Sequence, residues 1–322
     1  MIPAEFSGLA TLARRTRHEP VAVELLPGDV GRRRYLRLHL PDDRSVLGVV
    51  YPPEEEDSRR RWNAARVALR ARLRVPLLIA DDGMGNQIVE DFGGEDLAAR
   101  FARSLEDRGL WLQRAARAAA AIAEIFDPGV NPPFDAAFFR RELDLARQAV
   151  FDLYLEAPLS SDQREAHDAW AEALSREIEA HPRALCHRDF HANNLFPVEN
   201  EIGVIDFQDL RGGPDAYDLA SLLWERTTLD WMTPEASEEI AASFARQRGI
   251  EGRSFRDRLQ RVLLQRAWKV CGTFARAVAQ GRGETYRRYL PGELGLVRRL
   301  LGPSERDQAF QRVFEARFAS VC

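Results

Sequence analysis

Two short runs constrain this 322-residue chain more than anything else in it: Leu185-Cys186-His187-Arg188-Asp189-Phe190-His191-Ala192-Asn193-Asn194 and Val204-Ile205-Asp206-Phe207. An aspartate in a His-Arg-Asp turn is followed five residues later by Asn194, and then by an aspartate that opens an Asp-Phe pair after a short hairpin. Asn194 and Asp206 offer the hard oxygen ligands that magnesium prefers. Asp189 is placed to take the proton of an acceptor hydroxyl. Together these are the needs of phosphoryl transfer, where positioning and charge neutralisation carry most of the catalysis. Each residue alone has an ordinary explanation as a turn or helix cap. The ordered set does not, and it requires a fold that brings these groups together at one groove.

The flanking patterns describe such a fold. A short amphipathic helix is expected over residues 4–18, then strands at 21–27, 35–40 and 45–51, a charged helix at 55–74, and strands at 76–80 and 87–90. Turn chemistry at Gly28-Asp29-Val30-Gly31, Pro41-Asp42-Asp43-Arg44 and Asp81-Asp82-Gly83-Met84-Gly85-Asn86 separates the strands. Asp91-Phe92-Gly93-Gly94 reads as a hinge. Beyond it the pattern turns helical, at 95–126, 134–156, 160–181, 215–228, 234–248, 255–281, 284–301 and 303–319, with two short strands at 184–187 and 202–205 beside the catalytic loop. The fold class is therefore α+β: a protein-kinase-like bilobal fold with a five-stranded antiparallel sheet and a helix over residues 1–92, and a mostly helical lobe over 93–322.

Other residues take supporting parts. His187 suits a buried prop for the loop, and His191 suits packing. Asp218, on the helix after Gly212-Gly213-Pro214, is expected to accept backbone N–H bonds and stiffen the loop. Asp209 reads as a plain loop carboxylate. Only seven residues separate Asp206 from Pro214, too few for the long segment that holds an extended peptide, so the acceptor should be a small molecule. The third strand carries no lysine for the nucleotide phosphates. Arg33 and Arg34, with Arg32 and Arg37, are candidates to replace it, either as phosphate contacts or as a solvated edge. Gly28 and Gly31 can bring backbone N–H groups to the phosphates, and adenine is expected against the hinge near Glu90 and Phe92.

Composition excludes several alternatives. A net charge of −4 and a pI near 6.0 give no global field for nucleic acid or anionic lipid. The alanine-rich stretch 115–125 is interrupted by Arg117 and Glu124, so no membrane span is expected. Charges at Glu5, Arg14 and Arg15 come too early for a signal peptide, and the scattered Cys186, Cys271 and Cys322 suit a reducing compartment; a cytoplasmic location is expected. No obligate protein partner is implied. Lys269, the only lysine, falls on a polar stripe with Arg266, Thr273 and Arg276 that reads as a solvated face.

The segments GDVGRRRYLR (28–37), YPPEEED (51–57), IVEDFG (88–93), NPPFDAAFFRRELDL (131–145), HRDFHANNL (187–195), DFQDLRGGPDAYDLASLL (206–223) and LQRAWKVCGTFARA (264–277) resemble the aminoglycoside phosphotransferase superfamily. Within it they are most similar to the bacterial anomeric kinases acting on N-acetylmuramate and N-acetylglucosamine. That resemblance implies Asp189 as catalytic base, Asn194 and Asp206 as magnesium ligands, ATP as donor, and the anomeric hydroxyl of an amino sugar as acceptor, in cell-wall sugar recycling. Other acceptors compatible with the same fold are an aminoglycoside or a choline- or homoserine-like alcohol. A catalytically idle nucleotide-binding scaffold is the remaining alternative.

Overall fold

The computed structural model describes residues 1–26, 33–281 and 283–318. Gly28, Gly31 and Arg32 of the first turn, and Cys322, lie outside the described residues.

Alternation along each strand builds the smaller lobe. Strands β1 (Ala22–Leu26), β2 (Arg34–His39), β3 (Ser45–Val50), β4 (Leu78–Asp81) and β5 (Asn86–Glu90) form an antiparallel sheet in the order β1-β2-β3-β5-β4. On β2, Leu36 and Leu38 face helix α1 (Ser7–Arg15) and are fully buried with its Leu9 and Leu12. Tyr35 and Arg37 point to the other face, as period 2 demands. Gly48 permits the close approach of α1, because a Cβ there would sit 2.5 Å from a methyl of Leu9. The opposite face packs Val49, Tyr51 and Val89 against Trp62 of helix α2 (Glu56–Arg70).

Helix α2 stops four residues short of its expected end. A turn at Ala71 and Arg72 closes the helix, and the chain then bridges β8: Arg74 pairs with Gly203 in parallel, and its carbonyl accepts from the Val204 N–H at 2.8 Å. Pro76 disfavours helix just before it, and tertiary pairing takes the freed backbone. Ala65, Leu69 and Val75 are buried in the main core of the larger lobe, so α2 belongs to both. The segment 91–94 between the lobes is braced as well. The Asp91 carboxylate accepts from Arg37 Nε (2.7 Å), Ser45 Oγ (2.6 Å) and the Gly93 N–H (2.9 Å), while Gly93 takes a φ of 94°.

The larger lobe contains α3 (Leu97–Arg103), α4 (Arg108–Ala123), α5 (Ala136–Arg147), α6 (Ser161–Glu179), the short strands β6 (Arg183–Cys186), β7 (Leu195–Val198), β8 (Glu201–Val204) and β9 (Arg211–Pro214), then α7 (Tyr217–Leu223), α8 (Pro234–Gln247), α9 (Gly252–Ala279), α10 (Glu284–Arg287), α11 (Leu290–Leu300) and α12 (Glu305–Phe318). The expected helix 95–126 breaks in two at Ser104, which is extended; Arg108 caps the freed Phe101 carbonyl through Nε at 2.7 Å. The helix expected over 284–301 likewise divides before Pro291. The strands beside the catalytic loop do not pair with each other. β6 pairs with β9, and β7 with β8. β9, read as a helix entry from Gly212-Gly213-Pro214, is a strand because Gly213 lies against the Phe134 ring, where a Cβ would come within 2.5 Å. Helix α9 runs through the core with Trp268 fully buried among Phe151, Trp170 and Phe310. No helix among the described residues is long and apolar enough to cross a membrane.

Candidate active site

A cavity of about 550 Å³ lies between the sheet and the helical lobe. Asp189, Asn194 and Asp206 all line it, on the loop after β6, on the turn before β7, and just after β8. The hairpin β7–β8 brings the last two together: the Ile205 N–H donates to the Asn194 carbonyl at 3.1 Å.

The loop geometry is over-determined. Arg188 takes a φ of 80° and Asp206 a φ of 60°, a left-handed conformation that costs a non-glycine residue of order 1–2 kcal/mol. Asp218, 6% exposed on α7, holds the first of these. Its carboxylate accepts from the His187 N–H (2.7 Å) and the Arg188 N–H (3.0 Å). This is the stiffening role expected for Asp218. His187, fully buried, has Nε2 2.8 Å from the Ile205 carbonyl, which ties the loop to the residue before Asp206. Asp209 is held by Arg188 (2.7 Å) and Arg211 (3.3 Å).

Electrostatics separate the two aspartates. Burial works to raise the Asp189 pKa, but Lys269, Arg188 and Arg266 outweigh it and hold the carboxyl below its usual range. Asp206 goes the other way: burial, with Asp189 and Asp209 nearby, pushes it up. Burial lowers the His191 pKa to about 4, so its ring is neutral at pH 7. Lys269 and Arg266 therefore do not belong to a solvated stripe. Lys269 lies 3.6 Å from Glu142 with 20% of its side chain exposed, and Arg266 is buried, donating to the Arg188 carbonyl at 3.2 Å. Helix periodicity placed them on one face with Thr273, which is exposed; the folding of α9 across the catalytic loop turned the N-terminal part of that face inward.

The residues expected to hold a nucleotide are distributed unequally. Arg33 lines the cavity, ion-paired to Glu55 and lying 4.0 Å above the Trp62 ring. Arg34 does not line it: one step along the strand from Arg33 and Tyr35, it projects to the opposite face and is exposed. Glu90 lines the cavity with its carboxylate committed to Arg74 and to the Leu77 N–H (3.2 Å). Phe92 lines it beside Phe196, ring centres 6.3 Å apart. Leu47, Val49 and Tyr35 add an apolar wall. Their alternation with buried outer-face residues was visible in the strands; Phe196 and Ile205 carried no such signal.

The chain matches the model of the phosphotransferase enzyme family (APH) over residues 22–259. It belongs to that family. The N-acetylmuramate/N-acetylglucosamine kinase of Pseudomonas aeruginosa is 30% identical over 79% of this chain and 76% of its own length. A protein of the same name from Neisseria meningitidis serogroup B is 28% identical, covering 84% and 83%. Among solved structures, the ADP-bound aminoglycoside phosphotransferase APH(2'')-Ib superposes with a TM-score of 0.61 at 16% identity, covering 97% of this chain and 99% of its own. The chain has the kinase-like bilobal α+β fold of this family, and is a phosphotransferase whose acceptor is an alcohol.

Proposed function

We propose that this phosphotransferase uses ATP with magnesium to phosphorylate the anomeric hydroxyl of an N-acetylated amino sugar, N-acetylmuramate or N-acetylglucosamine, as part of cell-wall sugar recycling. The names of the relatives support that acceptor class. The observation that carries it is the charge around Asp189. Lys269, Arg188 and Arg266 all act on this carboxylate, while Lys269 also faces Glu142 and Arg188 also faces Asp209. The carboxylates beside Asp189 are thus already paired and offer little to a polycationic aminoglycoside, whereas a neutral sugar, or one bearing a carboxylate, needs no such surplus of negative charge.

In this reading Asp189 takes the proton of the acceptor hydroxyl. A carboxylate held low is a weak base, and a hemiacetal hydroxyl is more acidic than an ordinary sugar alcohol, so the two are matched. Magnesium would be held by Asn194 and Asp206, and when bound it neutralises phosphate charge. Their donor set fits the ion. Asn194 spends its amide nitrogen on the Asp189 carbonyl (2.9 Å), which leaves its oxygen as the ligand atom. Among the described residues no hydrogen-bond donor engages the Asp206 carboxylate, which shares the cavity with Asp189 and takes further negative charge from Asp209. The adenine would pack between Val49, Phe92 and Phe196.

ADP release in the presence of magnesium, measured over amino sugars, neutral sugars and aminoglycosides, tests the assignment, with phosphorus NMR locating the product phosphate. Turnover of N-acetylated sugars to a 1-phosphate is expected, with an Asp189→Asn control slower by roughly 10²–10⁴-fold and still binding nucleotide. Turnover of aminoglycosides alone would refute the acceptor class.

A further inference from the structure

The third strand, β3, presents only Leu47 and Val49 to the cavity, so it brings no cation to a nucleotide there, and Arg37 on β2, which also lines the cavity, is already paired with Asp91 (2.7 Å) and Glu24 (3.4 Å). Arg33 enters the cavity already neutralised by Glu55. Arg66 is different. It stands on α2, about one turn before the helix ends at Arg70, and its side chain reaches the same cavity from the helix that packs on the cavity face of the sheet. The residue is only 5% exposed. Its guanidinium carbon lies 5.7 Å from the ring centre of Phe207, the residue after Asp206.

Among the described residues no carboxylate lies within ion-pair distance of Arg66. One Nη donates to Asn63 Oδ1 at 2.8 Å, and Nε is buried without a partner. Asn63 is itself fixed: the same oxygen accepts from Gln87 Nε2 at 3.2 Å, and its amide nitrogen faces Asp81 at 3.3 Å. Gln87 is fully buried on β5 and is further anchored by Tyr51 (3.1 Å) and Asp81 (2.7 Å). Asp81 is already engaged by Arg59. A network of neutral amides thus aims a charged guanidinium at the cavity without cancelling its charge. Guanidinium does not give up its proton at neutral pH, so the cost of burying it bare stands until an anion arrives.

We propose that Arg66 makes the cationic contact to the nucleotide's polyphosphate, approaching from the helix in place of a lysine on β3. This rests on the nucleotide-binding reading above. A planar fork of donors suits phosphate oxygens, and the contact with Phe207, the residue after Asp206, sets Arg66 toward the end of the cavity where the magnesium ligands are proposed.

Calorimetric titration of the full chain with ATP and with adenosine, together with thermal unfolding of the unliganded protein, tests this. Arg66→Met is expected to weaken ATP binding by at least about tenfold while adenosine affinity stays within about twofold, since only the phosphates lose a contact. The unliganded variant should unfold at the same temperature as the wild type or higher, because a buried bare charge has been replaced by an apolar chain of similar length. Arg66→Lys should recover part of the ATP affinity. Wild-type ATP affinity in Arg66→Met overturns the inference. So does a parallel loss of ATP and adenosine binding with a lowered unfolding temperature, or failure of both variants to fold, since either makes Arg66 a structural residue. If the wild-type protein binds neither ligand, the nucleotide reading itself falls and Arg66 with it.

Discussion

Removing the Asp218 carboxylate should unfasten the catalytic loop from outside the cavity. The buried carboxylate holds two backbone N–H groups, of fully buried His187 at 2.7 Å and of half-buried Arg188 at 3.0 Å. Hydrogen bonds to a charged group contribute about 1.5–3 kcal/mol each. Part of what they support is the left-handed φ of 80° at Arg188, which costs of order 1–2 kcal/mol. In Asp218→Ala both N–H groups are left buried and unpaired, with a combined loss of about 4 kcal/mol. For a chain of this length that corresponds to a fall in Tm of roughly 6 °C. Turnover should drop further than stability suggests, because misplacing a reacting group by about 1 Å costs on the order of 10²-fold. Asp218→Asn keeps one acceptor oxygen and should lose about half the stability. Thermal unfolding and steady-state kinetics on the same preparations measure both effects. An Asp218→Ala protein with wild-type turnover and a Tm within a degree or two of wild type would show that the loop is held by other contacts.

Two predictions concern titration. Lys269 is the strongest of the charges that keep Asp189 ionised against its burial, so Lys269→Met should move the acidic limb of the kcat/KM profile to higher pH; an unmoved limb would separate Lys269 from the proton transfer. Glu293 on α11 is 1% exposed with both oxygens unpartnered, and burial, with Glu225 beside it, pushes its pKa up from 4.5 to about 8. The folded protein therefore retains a proton that the unfolded chain has released, and stability present below pH 4.5 is lost as pH rises toward 8. Glu293→Gln should relieve this, gaining roughly 2–4 kcal/mol more in guanidinium unfolding at pH 8 than at pH 5. Equal gains at the two pH values would contradict a buried neutral acid.

Much of the architecture was legible because it rests on local periodicity. Alternation in the first three strands and the long apolar faces of α6, α8 and α9 follow from side-chain spacing. What escaped were elements made by contact. Strand β9 has no strand-like composition and exists because Arg211–Pro214 pairs with β6 where two glycines fit under Asp127 and Phe134. Helix α2 ends in a turn just before Arg74 bonds to β8. The order Asp189, Asn194, Asp206 was readable as a set; that Lys269 and Arg266, well along the chain on α9, act on the first of them was not, because a helix wheel does not say which polar face meets another segment.

The chain itself dictated a two-lobed kinase-like scaffold and the three oxygen-bearing groups of its cleft, since periodicity and loop spacing are short-range properties. Only folding decided the charge of that cleft. Arg34 turned outward while Arg66 turned in, Arg33 was neutralised by Glu55, and Lys269 was brought to Asp189. Coulomb interactions depend on distance and on exclusion of water, and both are set by which surfaces pack together.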